Sequence, residues 1–342
     1  MKKRIFTLFL LGCLASTCGW ADNLAIERFD IPAGGTVDID ICMENPSQEY
    51  VALQFDVYLP DGVEVAVDEY GDYLYFLSTR LRNHDLIMDK HKDGFYRFMV
   101  YDLRNRAIRG TTGSLMTLTL CAADTISTGE VTCYIRNQML TIDSNTSNDI
   151  AETPFTCNRV VEAVVTSAGY GSFSWPRALD FTGTGVRAFV GTSFNNGYIH
   201  MEEVQKVPAN TGVILKGGAG TYNPVTTDGE TDDVSMNKFL STAAGALMVD
   251  ADGIYALGKK NDVVGMYMVN TGVEIPQYKA YLSVDDLNAP SGFVFEETTA
   301  IGAIEAENSK DDVYYDVAGR MLTGKPVQKG IYLNKGRKVV IR

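Results

Sequence analysis

Residues 35–65 read GTVDIDICMENPSQEYVALQFDVYLPDGVEV, two strand patterns joined by a polar crossover and closed by a tight turn. In the second pattern Val51, Leu53, Phe55, Val57 and Leu59 alternate with Ala52, Gln54, Asp56 and Tyr58. One face is apolar and the other mixed, the period-two signature of a half-buried strand. Asp38 and Asp40 place polar side chains on the outer face of the first strand in the same way. Pro60-Asp61-Gly62 ends the second strand. Proline presets φ for a turn, Asp bonds nearby backbone, and Gly adopts the positive φ that other residues avoid.

Outward from this stretch the chain continues strand by strand to about Val165. An acidic aromatic loop, Asp68-Glu69-Tyr70-Gly71-Asp72-Tyr73, precedes a hairpin signal in which Lys92-Asp93-Gly94 separates Asp85–His91 from Phe95–Tyr101. Asp-Gly between apolar runs is a strong local hairpin sign. Ser114–Cys121, Glu130–Leu140 and Phe155–Val165 complete the set. Short, evenly spaced strands without an amphipathic helix predict an all-β chain, with an antiparallel β-sandwich over residues 22–165.

The order of these parts, with the Leu53-Gln54-Phe55-Asp56 strand, the Pro-Asp-Gly turn and the later Ser114-Leu115-Met116-Thr117-Leu118 strand followed by Gly129 and Asp143, resembles the cohesin-like and carbohydrate-binding-module-like sandwich of secreted bacterial proteins. That resemblance implies a domain that either grips a dockerin module or binds polysaccharide. Nothing in the matched residues selects between the two.

Residues 166–297 form a second β-rich region. It repeats at an ungapped offset of 68 residues: Ala178, Leu179, Gly185, Ala188, Gly197 and Pro208 match Ala246, Leu247, Gly253, Ala256, Gly265 and Pro276. Shared glycines, a proline and apolar positions are what two copies of one supersecondary unit retain, so two related halves are expected. Residues 298–310 lack a strand pattern and read as a linker. From Arg320 onward there are seven basic residues and no acidic one. Residues 311–342, through Tyr315, Asp316, Gly319, Arg320, Gly330 and Tyr332, resemble the C-terminal sorting domain of the type IX (Por) secretion system. The resemblance implies a secretion machinery as a partner. A small terminal β-hairpin is the alternative.

Residues 1–21 carry Lys2, Lys3 and Arg4 before the apolar run Ile5–Leu14, then Gly19-Trp20-Ala21 with small residues at the cleavage positions. This pattern predicts a secretory signal peptide and an exported, extracellular or outer-membrane-surface protein. Leu10-Leu11-Gly12-Cys13 leaves a lipid on Cys13 as an alternative. Removing the leader takes three positive charges from a chain of net charge −13, leaving −16. Such a balance excludes nucleic acid and anionic membrane surfaces as partners. No stretch after the leader is long and apolar enough for a transmembrane helix. Four cysteines remain, Cys42, Cys121, Cys133 and Cys157, an even number that could form disulfides in an exported protein. Three pairings exist; Cys42 with Cys121 and Cys133 with Cys157 is preferred, and buried thiols are the alternative.

The chain carries few residue patterns of catalytic chemistry. His84, His91 and His200 show no zinc-binding spacing, there is no GxSxG elbow, and Gly217-Gly218-Ala219-Gly220 lacks the Lys-Ser/Thr of a phosphate loop. No cofactor is expected, apart from calcium at Asp143, Asn145 and Asp149, whose oxygens recur along a loop but without the Gly and the final acid of an EF-hand. A solvated loop tip is the preferred reading of the same residues. Tyr70, Tyr73 and Tyr75 beside carboxylates, and Trp175, the sole tryptophan after the leader, could stack on sugar rings or pack in a core. The expectation is a non-catalytic binding protein for polysaccharide, with protein–protein contacts of the cohesin type as the alternative and an unrecognised enzyme as the second.

Overall fold

The structure, a computed structural model, describes residues 22–296 except 196 and 286–288, together with the backbone of 314–316, 321–322, 330–334 and 337–341. The leader, the linker, Gly319 and Arg320 lie outside the described residues. Twelve strands build the first region: β1 Asn23–Ile26, β2 Phe29–Pro32, β3 Thr36–Glu44, β4 Ala52–Tyr58, β5 Val63–Val65, β6 Tyr75–Leu77, β7 Asp85–Lys90, β8 Tyr96–Tyr101, β9 Ser114–Ala122, β10 Gly129–Thr141, β11 Ser147–Ile150 and β12 Thr153–Val160. They form a five-stranded sheet, β1-β3-β9-β5 with β6 also on β9, and a seven-stranded sheet, β2-β12-β10-β4-β8-β7 with β11 also on β10. Among these twelve strands only β2 and β12 pair parallel. The fold is all-β, and the two strands of the opening stretch belong to opposite sheets.

The alternation read from residues 51–59 sets the burial. Leu53, Phe55 and Val57 face inward, and Phe55 stacks on Phe98 of the neighbouring strand at 4.9 Å between ring centres. The Pro60–Val63 turn closes with Val63 N–H donating to Pro60 O at 3.0 Å, and Gly62 takes φ +79°. A Cβ there would meet Ile126 at 2.4 Å, so the position admits only glycine. The Lys92-Asp93-Gly94 turn joins β7 to β8 with Gly94 at φ +90°.

A buried arginine closes one end of the sandwich. Arg80 sits in the short 3-10 turn Thr79–Leu81 and is 9% exposed. Its guanidinium donates to the carbonyls of Met43, Arg109, Gly110 and Gly113 and to Asn45 Oδ1, at 2.6–3.1 Å. Five bonds tie the end of β3 to the loop that enters β9, and burial lowers the Arg80 pKa from its ordinary value.

The expected Phe155–Val165 strand is broken after Val160. Residues beyond it form β13 Ala163–Val165, which leaves the sandwich to pair with a strand of the second region. That region comprises β14 Tyr170–Phe173, β15 Leu179–Asp180, β16 Arg187–Asn195, β17 Tyr198–Val204, β18 Lys206–Val207, β19 Val213–Lys216, β20 Gly220–Tyr222, β21 Val225–Thr226, β22 Phe239–Ser241, β23 Leu247–Met248, β24 Ile254–Lys260, β25 Val263–Met268, β26 Glu274–Ile275, β27 Ala280–Ser283 and β28 Gly292–Phe295. Its nine-stranded sheet runs β14-β19-β16-β17-β28-β25-β24-β27-β22. The strands that share the sequence offset stand at mirrored places around β28. Outside the sheet, Leu179↔Val207 in β15·β18 recurs as Leu247↔Ile275 in β23·β26, each residue displaced by the offset read from the sequence. The sheet curls so that Ser172 Oγ, on the β14 edge, both donates to Ala280 O and accepts from Ala280 N at 2.8 Å.

The sandwich core continues without a break through Val161, Ala163 and Val165 into Phe173, Trp175 and Leu179, while a second, smaller core gathers around Phe239, Tyr255 and Phe293. Polar contacts line the junction. Thr128 and Thr226 bond reciprocally, Arg177 reaches Thr125 O and Ser127 Oγ, and Tyr278 Oη donates to Asp124 at 3.1 Å. In the C-terminal segment β29 Tyr314–Asp316, β30 Met321–Leu322, β31 Gly330–Asn334 and β32 Arg337–Ile341 form a separate sheet, with Asp316 opposite Tyr332.

The preferred Cys42–Cys121 pairing is overturned by register. Cys42 lies opposite Ser114 and Cys121 opposite Thr36, so the two are separated by about 20 Å of strand, beyond the ~7 Å that a disulfide spans. All four cysteines are thiols in the structure. Cys133 and Cys157 are buried on neighbouring strands, two residues out of register, with Cys133 opposite Phe155 and Cys157 opposite Val131. Burial pushes their pKa values up to about 11 and about 12.

Candidate functional site

Inward-facing Leu53, Phe55, Phe98 and Val100 turn the alternate residues of β4 and β8 to the outside of the seven-stranded sheet. Register then lines up Asp89, Arg97, Asp56 and Arg136 across β7, β8, β4 and β10, a row of alternating sign. Glu152 ends the row by accepting from Arg136 Nε at 2.8 Å. The adjoining row, in the same register, is Ile87, Met99, Gln54 and Met139. Ile87 is 46% and Met99 36% exposed, so an apolar stripe runs beside the charged one.

Asp56 is the centre of the charged row. Although it occupies the polar half of its strand, it is 0% exposed. Arg97 donates to it twice, Nε to Oδ1 at 2.7 Å and Nη2 to Oδ2 at 2.8 Å, and Asn137 Nδ2 donates to Oδ2 at 2.6 Å. The fork-to-carboxylate geometry fixes both partners and raises the Arg97 pKa. Asn137 reaches Asp56 because β10 bulges there. The register slips between Arg136 and Met139, and Asn137 takes φ +50°, a conformation asparagine tolerates better than most residues. The bulge also buries Gln138, whose Nε2 donates to Ala151 O at 2.7 Å and Thr153 Oγ1 at 3.0 Å. Beside it opens a concavity of about 730 Å³ lined by Gln54, Arg97, Arg136, Met139, Asp149 and Glu152.

Three aromatic rings pack against the arginines of the charged row. Arg136 lies 5.0 Å from the Tyr58 ring and 4.5 Å from the Tyr134 ring, and Arg97 lies 5.4 Å from Phe95. Cation–π packing of this kind orders the two guanidinium groups against the rings of the face.

The residues expected to bind sugar do not share a surface. Trp175 is 5% exposed, packed between Phe173 and Tyr278, and belongs to the core at the junction. Tyr73 meets the edge of Tyr96 at 5.8 Å. Tyr70 and Tyr75 are 81% and 44% exposed at the edge of the five-stranded sheet, where Asp68 Oδ1 accepts from the N–H groups of Tyr70 and Asp72 to shape the loop. Nor are the calcium candidates gathered. Asp143 accepts from Asn145 N–H within the β10–β11 turn, which lowers its pKa, whereas Asp149 stands on β11 opposite Met139 and lines the concavity. Among the described residues no group of three or more His, Cys, Asp or Glu is placed to hold a metal. The Asp56–Arg97–Asn137 cluster was missed from sequence, since its three members are up to 81 residues apart. The mixed face of residues 51–59 was the one available signal.

The sandwich is similar to cohesin modules. A cohesin from the archaeon Archaeoglobus fulgidus is 15% identical with a TM-score of 0.32, over 41% of this chain and 91% of that one. The cohesin module of a Clostridium perfringens family 33 glycoside hydrolase is 11% identical with a TM-score of 0.33, over 41% and 98%. A type I cohesin–dockerin complex from Clostridium thermocellum is matched at 15% identity and a TM-score of 0.32, over 43% and 99%. No protein-family profile and no curated protein matches the chain.

Proposed function

We propose that this is an exported, non-catalytic binding protein whose sandwich docks a protein partner on the outer face of the seven-stranded sheet. The observation that carries the reading is the pair of rows on that face: an exposed Ile87–Met99 stripe beside a charged row whose centre, Asp56, is locked by Arg97 and Asn137. An apolar stripe supplies desolvation energy on contact, and ordered charges supply orientation. Polysaccharide is the second reading, favoured by the exposure of Tyr70 and Tyr75 on the other sheet. Export by the leader, with residues 311–342 as a sorting segment, completes the proposal. Among the described residues no helix is long and apolar enough to cross a membrane.

The test is crosslinking of the full chain to intact cells and secreted proteins of the producing organism, beside Ile87→Glu and Met99→Glu variants shown to keep the wild-type melting temperature. A protein partner captured by the wild type and lost from both variants supports the face. Capture unaffected by the variants, or glycan-array binding lost on Tyr70→Ala, moves the function elsewhere.

A further inference from the structure

The second region holds a cleft of about 310 Å³ between β13–β14 and the turn joining β26 to β27. Its walls are apolar, chiefly Val164, Leu257, Val269, Val273 and Ile275, and its volume is at the small end of the range for ligand pockets. Lys279 lines it and is the only cation that does. Glu274, the only carboxylate in the lining, is exposed to water, and no carboxylate of a described residue lies within 4.0 Å of the Lys279 ammonium. Burial alone sets the direction of the Lys279 pKa, which is downward.

The backbone fixes Lys279 in place. Tyr278 takes φ +64°, an uncommon and strained conformation for a bulky aromatic residue. It sends its ring against Trp175 and its hydroxyl to Asp124. Lys279 N–H donates to Thr242 Oγ1 at 2.8 Å, and Lys279 O accepts from Ser174 Oγ and Thr242 N–H at 2.9 Å. Bonds on both sides of the residue hold its place in the wall whether or not the cleft is filled.

We propose that this cleft binds a small apolar carboxylate, its hydrocarbon part on the apolar walls and its carboxylate on Lys279. The apolar walls select against strongly hydrated polyanions, and the one ammonium selects an acid over an alcohol or an amine. The site is independent of the docking face, so either can fail without the other.

Octanoate, octanol and octylamine titrated into the full chain, followed by methyl NMR at Leu257, Val269 and Ile275 and by calorimetry, test the proposal. Octanoate is expected to bind in the millimolar range or tighter and to shift those methyl groups, with octanol weaker by about tenfold, equivalent to ~1.4 kcal/mol, and octylamine weaker still. Lys279→Met should remove the preference for the acid while leaving octanol binding unchanged, and Lys279→Arg should restore it. Absence of octanoate binding at millimolar concentration, equal binding of acid and alcohol by the wild type, or shifts elsewhere in the chain would overturn it. The comparison of ligands needs no variant, so a folding defect in Lys279→Met does not decide the outcome.

Discussion

Arg80 and Asp56 in the sandwich are 9% and 0% exposed, while Lys279 in the second region is half-buried. Their surroundings differ in kind. Five acceptors surround Arg80 without a carboxylate among them, and Asp56 receives three charge-assisted or amide hydrogen bonds. Lys279 has a well-bonded backbone and lines a cleft whose other walls are chiefly apolar. A buried charge whose capacity is filled from within the chain holds structure together, because removing either side strands the other. A charge left open at the wall of a cleft can be completed only from outside.

Three measurements can break or sharpen that contrast. Arg80→Ala should have the largest effect, about 3–5 kcal/mol of unfolding free energy in urea, since it strands several buried carbonyls at once. A loss under about 1 kcal/mol would show that water replaces the guanidinium and that the arginine is not a structural tie. Asp56→Ala should cost less, about 2 kcal/mol, because the Arg97 side chain is 40% exposed and can return to water. The same variant should weaken capture of a partner on the Ile87–Met99 face, and unchanged capture would detach the charged row from docking.

The smallest effect concerns the junction between the two regions. Burial, reinforced by the neighbouring Asp124 carboxylate, pushes the Tyr278 hydroxyl up to about 12. The unfolded chain loses this proton near pH ~10, while the folded chain keeps it. The contribution is therefore whole below about pH 10 and is lost as pH rises toward about 12. Urea midpoints should fall over that window, and Tyr278→Phe should flatten the fall. An equally steep fall in Tyr278→Phe would assign the dependence to other groups.

Local signals carried much of the fold. The alternation at residues 51–59, Gly62 and Gly94 each depend on neighbours within a few residues, and each appears in the structure as read. The repeat at 68 residues was equally legible, because duplicated buried positions and turns leave matched residues in one dimension; Leu179↔Val207 and Leu247↔Ile275 carry it into three. What was not legible depended on pairing between distant strands. Trp175 reads the same whether it is a platform or a core residue until Tyr278, more than a hundred residues later, is known to lie on it. Cys42 and Cys121 lie on paired strands, and only the register separates them.

By itself the sequence determined an all-β chain, the turns at Gly62 and Gly94, the inward face of the opening strand, and the doubling of its second region. These follow from side-chain periodicity and from the φ angles that proline and glycine permit. Tertiary structure alone decided that Asp56, on the polar half of the opening strand, is buried under Arg97 and Asn137, and that Lys279 stands in the wall of an apolar cleft. Burial of a charge is a property of what the rest of the chain brings over it. No pattern along one strand encodes that.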